Sequence, residues 1–187
     1  MKKILIIAAA VLSLSLPMQA QTSIGAGLHH AHSNIANVNG VYAELGKAFV
    51  NRFDVGFSPA IRLNYDWRKG DLFSYDLCQI SVPILFDYGI ELSNAARAFI
   101  YAGPTPVFGL FFNEKTKGVS GSTSFNLYQK YRRADIMLGA GVGIDLIDLF
   151  RIKIGYDFGL INSYKEGVVG NQSTHNRVFT AGISLLL

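Results

Sequence analysis

Charge is scarce in this chain. Only 16% of its 187 residues are Asp, Glu, Lys or Arg, while 50% are hydrophobic; an average chain carries about 25% charged residues. That balance excludes intrinsic disorder, which needs low hydrophobicity and high net charge. Cysteine is nearly absent. The single Cys78 excludes a disulfide framework and a cysteine-cage zinc site. Past residue 20 no charge-free apolar run approaches the length of about 18 residues that a transmembrane helix needs. The best stretch, 136–150, is interrupted by Asp145 and Asp148. There is also no basic run that would suggest nucleic-acid binding.

What is present begins with an address label. Lys2 and Lys3 form a basic start, residues 4–16 an apolar stretch, and Pro17 and Ala20 precede Gln21. This pattern predicts a cleaved signal peptide over 1–20 and a single domain over 21–187. Met18 departs from the small residue expected at the third position before the cut. Removing 1–20 takes away two lysines and no acid, so the formal charge falls from +4 to +2.

The rest of the chain is dominated by alternation, the signature of strands with two unlike faces. Ile152, Ile154, Tyr156, Phe158 and Leu160 are interleaved with Arg151, Lys153, Gly155, Asp157 and Gly159. The same alternation marks 53–67, 78–88, 136–146 and 179–187, and more weakly 22–32, 40–50 and 96–111. Pro104 and Pro106 lie in the last of these. Proline cannot donate to a ladder, so a bulge or break is expected there.

These segments predict eight strands. The connections at 51–52, 91–95 and 147–150 are short, whereas those at 33–39, 68–72, 113–130 and 162–176 are mostly longer and polar. Alternating short and long connections, with apolar stripes of bilayer-crossing length, predict an all-β fold. It is an eight-stranded antiparallel transmembrane β-barrel, an up-and-down meander in the outer membrane with both termini periplasmic. Aromatics near the stripe ends fit two interfacial girdles: Tyr65, Trp67, Phe73, Tyr128 and Tyr131 at one end, Phe49, Phe53, Tyr88 and Phe150 at the other. The rival is a soluble barrel with its apolar face inward, which would place Asp54, Arg62, Asp87, Asp145, Lys153 and Asp157 outside.

Several stretches, in order along most of the mature chain, resemble the PorT-like outer-membrane β-barrel domain family. They are Ile80-Ser-Val-Pro-Ile-Leu-Phe-Asp-Tyr88, Ala98-Phe-Ile-Tyr-Ala-Gly-Pro104, Asp135-Ile-Met-Leu-Gly-Ala-Gly-Val-Gly143 and Ile154-Gly-Tyr-Asp-Phe-Gly-Leu-Ile-Asn162. The resemblance implies an eight-stranded barrel of a Gram-negative outer membrane, inserted by the barrel-assembly machinery. It implies no activity. Such barrels often end in an aromatic residue, and this chain ends in Leu187.

The inner face carries most of the charged residues of the strands. Glu44, Asp54, Asp87, Asp135, Asp145 and Asp157 are expected there with Arg62, Arg97, Arg151 and Lys153. Eight strands leave a lumen that side chains just fill, so these charges should pair as a plug. A narrow ion path is the sharper alternative. His29, His30 and His32, with His175, could hold a metal, but no recognised ligand spacing accompanies them. His32 beside Ser33, and His175 near Ser173, raise a lipid A enzyme as a rival. Gly139-Ala-Gly-Val-Gly143 lacks the third spaced glycine of a dinucleotide loop and is expected to make room for bulky inner side chains. Cys78 falls on the lipid-facing stripe.

The expectation is a monomeric barrel with a structural or binding role, no enzymatic activity, and no metal or cofactor. Its partners are outer-membrane lipid and lipopolysaccharide, whose head groups Lys117, Lys130, Arg132 and Arg133 could meet.

Overall fold

Alternation resolves into ten antiparallel strands among the residues that the computed structural model describes: 18–32, 37–51, 54–69, 73–118, 121–127, 131–163 and 175–187. In chain order they are β1 (Met18–His32), β2 (Asn37–Asn51), β3 (Val55–Lys69), β4 (Phe73–Ser81) and β5 (Ile84–Ser93). They continue with β6 (Ala96–Gly118), β7 (Gly121–Asn126), β8 (Ala134–Leu146), β9 (Phe150–Gly159) and β10 (Arg177–Leu186). β4 and β5 lie end to end between β3 and β6 and make one stave of the barrel. β7 pairs only with β6, as a hairpin arm. Eight staves therefore form the ring, in up-and-down order. It closes where β1 meets β10, from Ser23↔Leu186 to His32↔Arg177. At the seam, Thr22 and Leu187 exchange two backbone hydrogen bonds of 2.7 Å each.

Every stave turns large apolar side chains outward. Leu28, Leu45, Ile61, Tyr88, Ile100, Val142, Ile154 and Ile183, one from each, are all more than 40% exposed. In water a continuous apolar belt of this kind would drive aggregation; in a bilayer it is the solvated face. The charged set faces inward, with Arg62, Asp87, Asp145 and Lys153 buried. That disposition removes the soluble, inside-out reading.

The fourth expected strand, 78–88, is interrupted at Val82 and Pro83. The cause lies across the ladder. Pairing of β5 with β6 ends at Phe86↔Ala102 and pairing of β4 with β6 begins at Ser81↔Val107. Pro104 and Pro106, which have no N–H, lie in that gap. On its other edge β6 pairs with β8 straight through both prolines. The break lets the Ile84 carbonyl approach Gly103, where a Cβ would lie only 2.0 Å from that oxygen.

Two further differences concern the ends. Leu110 is an extra residue in β6, since Gln79 faces Gly109 while Cys78 faces Phe111. This bulge shifts the phase, so Leu110 and Phe111 are both exposed and Phe112 turns inward. The expected loop 113–130 is largely the β6–β7 arm. β1, β2 and β3 each run for 15 residues, beyond the ~9–11 that cross a bilayer. The connections at 33–36 and 70–72 are correspondingly short. The opposite end carries the tight turns and both termini of the ring. In one of these turns Ile147 and Asp148 have φ of 54° and 52°. Leu149 N–H donates to the Leu146 carbonyl at 3.1 Å, closing a primed hairpin turn.

Candidate functional site

Strand register places the inner charges opposite one another. Near the tight turns, Arg97, Asp145 and Arg151 are direct cross-strand neighbours on β6, β8 and β9. Arg151 grips Asp145 with two nitrogens, at 2.6 and 2.8 Å, and donates to Ser58 Oγ at 3.0 Å. Arg97 reaches Asp87 at 2.7 Å, Asp145 at 3.2 Å and Asp54 at 3.4 Å. The Phe99 ring lies under both guanidinium groups, 5.3 Å from Arg97 and 4.7 Å from Arg151.

A second cluster lies further along the lumen. Glu44 and Arg62 are opposite in the β2–β3 ladder and bond at 2.6 and 2.9 Å. Lys153 reaches the other Glu44 oxygen at 2.8 Å. Arg62 stacks over Tyr42, 4.3 Å from the ring centre. Gly141, Gly143 and Gly155 leave room for Tyr101 and Phe99, whose atoms a Cβ there would meet at 2.5 Å or less. Each buried charge thus has a partner, which desolvated charges require. Paired charges occupy the lumen at two levels.

Eight of the ten inner charges singled out in the sequence are brought together in these clusters. Asp135 and Asp157 stand apart. Asp135 accepts from Ile161 N–H at 3.2 Å and Asn176 Nδ2 at 3.3 Å. Asp157 lines a cavity of about 120 Å³ toward the long-loop end. Sequence reasoning missed Asp66, although it shares the face of Arg62 and Asn64. It is 2% exposed and pairs with Nε2 of His29. His29, one of the histidines that could have held a metal, is buried beside Tyr42.

The other histidines do not join it. His30 is on the outer face and bonds Asn39 at 2.7 Å, and His32 is exposed. His175 Nδ1 contacts the Gly159 carbonyl at 3.0 Å, and its ring stacks on Phe158. Among the described residues no three of His, Cys, Asp and Glu gather as a metal site. Ser33 and Ser173 lie outside the described residues.

The outer aromatics divide. Tyr65 and Trp67 are exposed and stack at 5.9 Å at one end, with Tyr88 and Phe150 exposed at the other. Tyr131, expected in the girdle, lines the cavity and packs on Phe112 at 5.5 Å. The phase shift in β6 turned Phe112 to meet it. Phe53, Tyr128 and the side chain of Phe73 lie outside the described residues. Cys78 lies between its register partners Tyr65 and Phe111 and is buried. Arg132 and Arg133 are exposed at the long-loop rim. Lys130 and the side chain of Lys117 lie outside the described residues.

An apolar belt around an ion-paired lumen defines an integral membrane β-barrel. Residues 61–165, more than half of the chain, match the outer membrane protein beta-barrel domain family, and the chain belongs to that family. It is a small outer-membrane β-barrel. No curated protein matches it in sequence. Among solved structures it is similar to Neisserial surface protein A, with TM-score 0.56, 12% identity and coverage of 90% of this chain and 98% of that one. It is also similar to Ail, the attachment invasion locus protein of Yersinia pestis, with TM-score 0.51, 13% identity and coverage of 90% and 97%. A second structure of Ail, in complex with the heparin analogue sucrose octasulfate, gives TM-score 0.50 at 13% identity, covering 92% and 100%. These likenesses are of fold.

Proposed function

We propose that this barrel is a non-enzymatic, monomeric membrane anchor whose long-loop end faces the cell exterior and binds lipopolysaccharide head groups. The supporting observation is the asymmetry of the two ends. Tight turns and both ends of the ring lie together at one; the β6–β7 arm and the 160–176 connection lie at the other. Outer-membrane barrels keep short turns periplasmic and long loops outside. On that rule both termini are periplasmic and the assembly machinery receives the chain from that side; removal of residues 1–20 on export leaves β1 as 21–32. Kinship with the PorT-like branch of the family belongs to the same reading.

Arg132 and Arg133 at the outer rim, with Lys117 and Lys130 of the same connection, suit head-group phosphates, which guanidinium groups bind in paired hydrogen bonds. Sucrose octasulfate on Ail is a ligand of that anionic chemistry. The test is co-purification of lipopolysaccharide with the barrel extracted in mild detergent. Arg132→Ala with Arg133→Ala is expected to lower bound lipopolysaccharide by about tenfold, with the heat-modifiable gel band unchanged. Equal amounts on both proteins would sink the head-group reading.

A further inference from the structure

A patch of hydrogen-bond donors lies on the outward wall where the ring closes. His32 is the register partner of Arg177 on β10 and of Asn37 on β2, so these three side chains stand abreast on the last rung at the long-loop end. On the next outward rung His30 stands between Phe179 and Asn39, and Asn39 faces Trp67. The outward rung below is wholly apolar: Ala181, Leu28 and Val41. His30, His32, Asn37, Asn39 and Arg177 are all exposed. Successive outward rungs are about 7 Å apart. The wall therefore changes from a hydrocarbon surface to a hydrogen-bonding one at the level of the aromatic girdle, where lipid head groups begin.

No carboxylate answers this patch from its own wall. β1 and β10 contain no acid, and Glu44, the only one in β2, is buried in the lumen. Neither Arg177 nor His32 has a hydrogen-bond or ion-pair partner among the described residues. Elsewhere on the outer face the exposed Lys115 is paired with Asp76 at 3.2 Å. As direct cross-strand neighbours, Arg177 and His32 have Cβ atoms about 4.5–5.5 Å apart, close enough for both side chains to reach one tetrahedral anion. Below them, His30 Nδ1 donates to Asn39 Oδ1 at 2.7 Å, which leaves the Asn39 amide nitrogen as a donor.

We propose that this patch binds a phosphate of lipid A, and that the bound phosphate ties the last stave to the first. Arg177 on β10 takes the phosphate in paired hydrogen bonds, and His32 donates to it from β1, across the closing seam. The amides of Asn37 and Asn39 both donate and accept, which suits the hydroxyls of the phosphorylated sugar. The acyl chains lie along the stripe of Ala181, Leu28 and Val41. The other end of the same seam is tied within the protein, by the two hydrogen bonds between Thr22 and Leu187. The lipid supplies the matching tie at the end that the protein leaves unpartnered. This inference rests on the reading that the long-loop end faces the exterior, but it uses none of Arg132, Arg133, Lys117 and Lys130.

Trp67, the only tryptophan of the chain, borders the patch and reports on it. The barrel carrying Arg132→Ala and Arg133→Ala is refolded in the neutral detergent octyltetraoxyethylene. It is titrated with lipid A bearing both phosphates and, separately, with lipid A stripped of them, and Trp67 emission is followed. The phosphorylated form is expected to bind about tenfold or more tightly, the difference charge-assisted hydrogen bonds make, and to raise the urea midpoint of the heat-modifiable band further than the stripped form. Adding Arg177→Gln and His32→Gln should remove both differences. If that variant does not refold, Arg177→Gln alone serves and should cost most of the preference. Equal affinity for the two lipids, a preference that survives the substitutions, or no saturable change in emission overturns the proposal. So does an equal preference for dioleoyl phosphatidate over dioleoylglycerol, which would mean that any phospholipid occupies the patch. The rim arginines are judged separately, by their own substitution in a chain that keeps Arg177 and His32, so either reading can fail while the other stands.

Discussion

Lys153 and Glu44 meet across the lumen at 2.8 Å, from staves that are not neighbours: β10 and β1 stand between them. Glu44 meanwhile holds Arg62 from the adjoining stave. One carboxylate therefore braces two walls of the ring against each other.

This predicts an asymmetry between its partners. Glu44→Gln strands two buried cations and is expected to cost about 3–5 kcal/mol, the range for breaking a buried pair. Lys153→Met keeps the Glu44–Arg62 bond and substitutes an apolar stem of similar length, so its cost should be well below that. Urea midpoints of the refolded proteins in detergent, read by the heat-modifiable band, measure both. A larger loss for Lys153→Met would contradict the two-cation role of Glu44.

The turn at Ile147 offers a gain in stability. A β-branched residue with φ of 54° carries a steric cost of roughly 1–2 kcal/mol that Asn or Gly avoids. Ile147 is 70% exposed, so little packing is lost. Ile147→Asn is expected to raise stability by about 1 kcal/mol in the same urea assay. A lowered midpoint would show that the isoleucine is anchored in the interface in a way that outweighs its backbone.

At Gly103 the tolerance is opposite. The atom that a Cβ would meet at 2.0 Å is the backbone carbonyl oxygen of Ile84, which cannot rotate away as a side chain could. Gly103→Ala should therefore abolish the heat-modifiable band or shift the urea midpoint by several kcal/mol, in the range of overpacked cores. An unaltered midpoint would mean that the Val82–Pro83 break gives way freely.

Period two made the ring legible, because a strand with one lipid face and one filled face alternates whatever its neighbours are. It carried the outward stripe of 152–160 and the inward set of Glu44, Arg62 and Lys153. Pairing within that set was not legible. Glu44 and Lys153 are 109 residues apart, and their meeting follows from the stagger of all the staves between them. The cavity was hidden for a local reason. One extra residue, Leu110, reverses the phase of β6 and brings Phe112 inward to meet Tyr131. Asp66 could have been read from its parity with Arg62. Its partner could not, since His29 is separated from it by a whole stave, and only the glycine at position 40 lets the two touch.

The seam between Thr22 and Leu187 has a consequence for the birth of the molecule. Hairpins can form as the chain emerges, but the first stave has no second neighbour until the last one arrives. Closure depends on a contact between opposite ends of the sequence, the slowest kind for a chain to find. Until then the sheet carries two raw edges, each able to template pairing with another chain. A polypeptide that lost β10 would hold no smaller barrel; it would be a curled sheet with both borders unsatisfied, which a hydrocarbon layer does not admit.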